Sequence, residues 1–304
     1  MKTLILEGVV TALTQLSHNG GEINGNTAMF RRMEVIQPDG TSEEVPYVSG
    51  NSSRGKLRNV SAARMLNLLG TDGEPKKVKP ETFQMLFSGG SLTSGDKKDV
   101  SGNAGFFKDV KSLVHVGLFG TAYGNAIIPG QMDIGHLIPI CKETAHIIPS
   151  AFHLENMPSC FELTQEEMLT RKEDSKDGDK QKYIEKNITL LGEEEYADPE
   201  TTQMIYYVEV IKAGTQFYWK SVLRDVTDVE FDYFVDMLDK FKEHAIIGGK
   251  SAVGMGRIDL TNLKWRELTL ENDTLEVVDL DTKGMYAKYM SENKSEFSKI
   301  LDSL

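Results

Sequence analysis

Two cysteines in 304 residues, Cys141 and Cys160, exclude a disulfide framework and fit a reducing, cytoplasmic setting. Long apolar runs are missing too. The longest, such as AIIP and HLIPIC, fall far short of the ~20 residues a bilayer needs, so no membrane partner is expected. The opening MKTLILEGVVTALTQLSHNGG has some look of a signal peptide. Glu7 interrupts it and no small-residue cleavage site follows, which leaves a first strand over 3–14. Basic charge is scarce overall: 34 Lys and Arg against 46 Asp and Glu give a net charge of −12, at first an argument against nucleic acid. Acids are nevertheless absent from Val45 to Thr71, where Arg54, Lys56, Arg58 and Arg64 stand. They gather elsewhere, as in residues 162–200 with 13 acidic and 6 basic side chains. A binding footprint follows local potential rather than total charge, so the acid-free stretch keeps a nucleic-acid reading open.

What is present reads as one α+β domain over 1–304. TAMFRRMEVI (27–36) is a second strand, followed by a turn at Pro38–Asp39–Gly40. A helix starts at Asn51 or a neighbouring serine and stops at Gly70. A helical patch over 80–88, a glycine–serine loop and a helix over 105–118 come next, and GQMDIGHLIPIC is extended. Residues 143–201 lose periodicity and become highly charged, as an insertion with a mobile, solvated part would. TQMIYYVEVI and QFYWKSVLRDV flank KAGT, a hairpin signature. Residues 228–243 form an amphipathic helix with Val229, Phe231, Phe234, Val235, Leu238 and Phe241 inward. Its acidic outer face is solvated or meets another subunit. A strand, RIDLTNLKWREL, and a C-terminal helix close the chain. The order strand, helix, hairpin, helix, strand suits a sheet of split βαβ type.

Two stretches carry chemistry. HAIIGGKSAVGMGRIDL (244–260) places four glycines within nine positions beside Lys250, Ser251 and Arg257, so bare backbone N–H groups can approach a phosphate. A Walker A loop, and with it a nucleotide-binding enzyme, fails on context: His244 stands where the first glycine belongs, and a helix precedes the loop where a strand should. A flexible link whose glycines serve only positive φ is the plainer alternative. The second stretch, VPYVSGNSSRGKLRNV (45–60), sets small hydroxyl and amide residues ahead of a helix whose first turns hold Arg54, Lys56 and Arg58. Free N–H groups and the helix dipole make such a turn fit for phosphate. An ordinary capped helix with a basic solvated face would read similarly.

Together, PYVSGNSSRGKLR and the later GGKSAVGMGRI resemble the RAMP superfamily of CRISPR-associated proteins, and within it the repeated backbone subunit of class 1 RNA-guided effector complexes. The resemblance implies a ferredoxin-like, RRM-related palm with inserted elements, finger-like over about 70–125 and thumb-like over 143–201. It implies guide RNA, other copies of the chain, other CRISPR subunits and a complementary target nucleic acid as partners, with no cofactor. Carried over by position, Ser49, Asn51, Ser52, Arg54, Lys56 and Arg58 match the phosphate-gripping segment, and Gly248, Gly249, Lys250, Ser251, Gly254 and Gly256 match the glycine loop. A subunit that accepts any guide sequence should hold phosphate and sugar and leave sequence to base pairing.

In the RNA-cutting, type III members of that branch a loop between the first two strands supplies an aspartate. Here LSHNGGEINGNTAM (16–29) has none, and Glu22 alone is a thin substitute. A non-cleaving subunit closer to the type IV or type I-D versions follows, with an endoribonuclease as the alternative. His18 and Asn19 of the same loop are taken as RNA contacts; general acid–base work by His18 would need a partner that the sequence does not supply. His136, Cys141, His146, His153 and Cys160 cluster within 25 positions but lack the short spacings of a structural zinc site, so no metal is expected. Tyr206, Phe217 and Trp219 read as core aromatics rather than a base-stacking platform.

Overall fold

The computed structural model describes residues 1–90, 103–171, 187–188, 194–195, 204–268, 275–277 and 282–304. The first strands are β1 (Lys2–Ala12), β2 (Asn19–Asn24), β3 (Thr27–Phe30), β4 (Arg32–Ile36) and β5 (Ser42–Pro46). Helices α1 (Gly50–Leu69), α2 (Pro80–Ser88), α3 (Ala104–Ser112) and α4 (Val114–Phe119) follow. Then come β6 (Thr121–Tyr123), β7 (Ala126–Ile128), β8 (Met132–Ile134), β9 (Ile138–Pro139), β10 (Thr164–Arg171) and the short pair β11 (Asn187–Ile188) and β12 (Glu194–Glu195). The rest is β13 (Met204–Ile211), β14 (Gln216–Val226), α5 (Asp228–Glu243), β15 (Ile258–Leu268), β16 (Leu275–Val277), α6 (Met285–Glu292) and α7 (Lys294–Ser303).

The larger sheet is antiparallel, in the order β16–β15–β1–β14–β8, with β9 also on β14. β1 lies inside it, and alternation sorts its side chains. Leu4, Leu6 and Val10 enter the main core with Phe217, Trp219 and Leu223 of β14 and Ile258 and Leu260 of β15. On the other face Val9 packs with Tyr218, Ile140 and Ile148. Glu7 is buried there too, held by Arg266 and by the Tyr218 hydroxyl, which donates at 2.8 Å. α1 and α5 cover the core side, contributing Leu57, Met65, Leu66 and Leu69, and Phe231, Phe234, Met237 and Leu238. α5 is started by Thr227, whose side chain accepts from the Glu230 N–H while Glu230 accepts from the Thr227 N–H at 2.7 Å.

Three expectations need correction. The strand over 27–36 is two: β3 and β4 part at Arg31 and enter different sheets. β4 then pairs β5 as a hairpin across the Gly40 turn. β13 and β14 are not hairpin partners either. β13 lies in a second sheet, β10–β13–β3–β2, and KAGT is the corner where the chain changes sheets, with Gly214 donating to the Ala12 carbonyl at 2.7 Å. Finally, Tyr206 is 37 % exposed, whereas Phe217 and Trp219 are buried.

The stretch over 105–118 divides at Leu113 into α3 and α4. Within the expected finger-like segment, Met85, Leu86, Val110 and Phe119 join the same core as α1. The glycine–serine loop falls largely on residues 91–102, and the expected mobile part of 143–201 largely beyond Arg171; both lie outside the described residues. Among the described residues no helix is long and apolar enough to cross a membrane.

Candidate nucleic-acid interface

Residues 13–19, leaving β1, join the two motifs that the sequence separates by almost 200 positions. On one side Gly249 donates its N–H to the Ser17 carbonyl at 2.7 Å, and Gly256 donates to the Gln15 carbonyl at 2.8 Å. On the other, His18 meets the start of α1: its Nε2 lies 3.1 Å from Ser49 Oγ and accepts from the Ser49 N–H at 3.2 Å. The imidazole is half-buried, and its pKa lies below the ordinary value because burial, and then the nearby Arg31 charge, oppose protonation. A neutral ring accepting at Nε2 is a positioning group for Ser49.

The glycine loop is therefore fastened, not bare. Besides Gly249 and Gly256, Gly254 donates within the loop to the Ser251 carbonyl at 3.0 Å. These three N–H groups serve the fold, contrary to the expectation of a phosphate cradle. Close approach explains the glycine at 248: φ is +73°, and a Cβ would lie 2.3 Å from the Ser17 oxygen. Gly254, at φ +88°, has open space around it. Gly248→Ala should lower the unfolding free energy by about 2 kcal/mol or more, and Gly254→Ala by about 1 kcal/mol from backbone strain alone. Thermal denaturation of the two variants checks that order; an equal loss in both would contradict the clash. Lys250 is itself left-handed, at φ +58°, and its Nζ lies 4.5 Å from the Tyr206 ring centroid. Ser17, Asn19, Tyr206 and Lys250 line a cleft of about 210 Å³. Asn19 is fixed there, accepting from the Gly21 N–H at 2.6 Å, while Ser251 stands exposed nearby in the loop.

The first turns of α1 line a second, wider cleft of about 690 Å³ with Asn51, Ser52, Arg54, Lys56 and Arg58 on its wall and, among the described residues, no acidic side chain. Gly55 faces open space. Ser49 is the N-cap position, yet its side chain makes no cap bond to the helix. The structure corrects the reading of Arg58. It is 8 % exposed, donates to the carbonyls of Gly120 at 3.1 Å and Phe119 at 3.0 Å, and stacks over the Phe119 ring. Burial, and then repulsion from Arg54, bring its pKa down to about 10, which leaves it charged at neutral pH. Arg58 ties α1 to the end of α4 instead of facing solvent. Arg54 also donates to Phe119, but its Nε is buried without a partner among the described residues. Arg64 pairs with Asp236 of α5 at 2.7 Å.

Three contributors escaped the sequence reading. Arg31 donates its N–H to the His18 carbonyl at 2.8 Å, accepts from the Tyr47 N–H at 3.1 Å, and has a buried Nε with no partner among the described residues. The Arg31–Arg32 doublet was the available signal, since neighbours on a strand face opposite ways; Arg32 pairs with Glu209. Phe83 and Phe87, four apart on α2, line the same cleft as Arg54.

The histidines and cysteines of 136–160 do not converge. His136 Nδ1 accepts from the Gly50 N–H at 2.9 Å, His146 Nε2 meets the Ile36 carbonyl at 2.8 Å, and His153 Nε2 the Ala145 carbonyl at 2.9 Å. Cys141 and Cys160 are free thiols in a small core with Val35, Val45 and Leu163. Burial pushes them up to about 11 and about 12 respectively. Among the described residues no three His, Cys, Asp or Glu side chains gather as a metal site requires.

No protein-family model matches the chain, and no curated protein does. Among solved structures, a chain of one titled "Type IV-B CRISPR Complex" is similar over 92 % of this chain and 96 % of that chain, with a TM-score of 0.53 and 19 % sequence identity. The likeness establishes the fold: this α+β chain is built as that CRISPR-complex chain is.

Proposed function

We propose that the chain is a guide-RNA-binding backbone subunit of a CRISPR ribonucleoprotein, assembling with copies of itself and other subunits and presenting the RNA to a complementary strand. The observation that carries this reading is the meeting, through Ser17 and His18, of the glycine loop and the Ser49 end of α1 beside a cationic cleft that holds no acid among the described residues. In a chain of net charge −12, such a cleft selects an anion by local potential. The larger sheet supports a ferredoxin-like palm: β1–α1–β8 and β14–α5–β15 are two split crossovers, interleaved in the order β15–β1–β14–β8. The fold shared with a Type IV-B complex chain agrees with the type IV side of the reading.

The subunit is non-catalytic in this reading. The loop over 16–29 has no aspartate, Glu22 is exposed on β2, and His18 is engaged with Ser49. Arg54→Ala with Lys56→Ala should weaken binding to single-stranded RNA irrespective of sequence. The slope of log affinity against log salt should shrink by about 1.4, two charges at ~0.7 each. Anisotropy titrations with unrelated labelled RNAs at several salt concentrations measure both, with circular dichroism to confirm folding. Unchanged affinity would sink the assignment. Steady cleavage of labelled RNA, abolished in His18→Ala or Glu22→Ala, would make the chain a nuclease instead.

A further inference from the structure

Phe83 is 51 % exposed, yet it is not a stray apolar side chain. Its ring is stacked on that of Phe87, with centroids 4.4 Å apart and planes 23° from parallel. Phe87 in turn packs against the main core, so the pair is a flat face backed by the protein interior. That face lines the same cationic cleft as Arg54 and Lys56. A ligand matched to this wall has a planar, polarisable surface and an anionic group in one unit, as a nucleotide does.

We propose that Phe83 is a stacking platform for a base of single-stranded RNA whose neighbouring phosphate is held by Arg54 and Lys56. The proposal rests on the RNA-binding reading and adds base contact and strand selectivity to it. A base within a duplex offers only its edges to a groove, because its faces are covered by neighbouring pairs; a splayed single-stranded base offers its π-face to an aromatic ring. Such stacking tolerates any base, because every base has that face. It therefore suits a chain that leaves sequence to pairing. Phe87 acts as the positioning residue, holding the plane of Phe83 through the i, i+4 spacing on α2. An anionic lipid surface also pairs apolar and cationic groups, but it would be met by a protruding cluster, whereas these residues line a concave cleft.

The test uses the full chain with oligoadenylate and with a ribose-phosphate oligomer of equal length lacking bases. Phe83→Ala should weaken oligoadenylate binding about tenfold and leave the baseless oligomer within about twofold of the parent chain. Phe83→Leu, which keeps apolar bulk without a plane, should behave like the alanine variant. Phe83→Trp should retain affinity, and its added fluorescence should be quenched by oligoadenylate but not by the baseless oligomer. If Phe83→Ala binds both oligomers as the parent does while Lys56→Ala weakens both, the platform is wrong and the phosphate reading stands. If the parent chain binds neither oligomer, both fall. Retention on phosphatidylserine vesicles, lost in Phe83→Ala, would also overturn the platform in favour of a membrane.

Discussion

Arg58→Ala is expected to lower the unfolding free energy by about 3 kcal/mol, whereas Lys56→Ala, two residues earlier on the same helix, should leave it within about 0.5 kcal/mol. The contrast follows from what each cation touches. The Arg58 guanidinium lies over the Phe119 ring, donates to two backbone carbonyls at the end of α4, and is flanked by Gly89, where a Cβ would lie 3.2 Å from its Nη1. Removing it takes the charge-assisted donor from the buried Gly120 carbonyl, leaves the Phe119 carbonyl to Arg54 alone, and opens a gap beside Gly89. Lys56 lies along the open cleft. In a chain of this size the Arg58 loss amounts to a fall of about 5–10 °C in the melting temperature. Scanning calorimetry of both variants, read beside their RNA affinities, separates the roles: Lys56→Ala should bind weakly and melt normally. If Arg58→Ala melted with the parent chain, its carbonyl contacts would not be structural.

Acid should destabilise the protein well above the carboxylate range. His115, on α4, is 1 % exposed; its Nδ1 lies 2.6 Å from Ser61 Oγ and its Nε2 meets the Leu86 carbonyl at 2.9 Å. Burial lowers its pKa from the ordinary 6.5 to about 3, with only partial compensation from the Leu86 bond. Because the folded value lies below the unfolded one, the unfolded chain binds the proton more readily as pH falls through 6.5. Stability is untouched above about pH 7 and declines from there toward pH 3, by up to about 1.4 kcal/mol per unit and about 2 kcal/mol by pH 5. His18, also shifted down, adds a smaller loss of the same sign. Denaturant titrations between pH 5 and 8 measure the slope. His115→Gln should be less stable overall, with a flatter profile; an unchanged slope in that variant would assign the acid sensitivity to other groups.

Much of the architecture was legible where local chemistry decides it. α1 stops at Gly70, where the sequence set its end, and α5 spans the amphipathic stretch over 228–243. The misreadings arose where partners distant in sequence decide. KAGT has the composition of a tight hairpin, but β14 pairs with β1, and β13 with β10 and β3, so the same residues serve as a corner. Arg31 divides a stretch of unbroken strand character because its N–H and carbonyl are taken by His18 and Tyr47. Basic residues on α1 were found from the lack of acid around them. That Arg58 faces inward depends on two carbonyls more than 60 residues away, which no local pattern encodes. The Phe83–Phe87 spacing was visible, but exposure of one ring and its place beside Arg54 were not.

The central place of β1 also sets a timetable for synthesis. Its two neighbours in the sheet, β14 and β15, begin more than 200 residues later. A ribosome adding about 5–20 residues per second needs on the order of 10–50 s to deliver them. Through that interval the first strand, with Leu4, Leu6 and Val10 meant for the core, has neither ladder partner. Loop closure over such a span is slow, and an apolar strand left waiting is prone to pair with another nascent chain. Production in the cell should therefore depend more on chaperone supply and slow, cool growth than the stability of the finished fold would suggest.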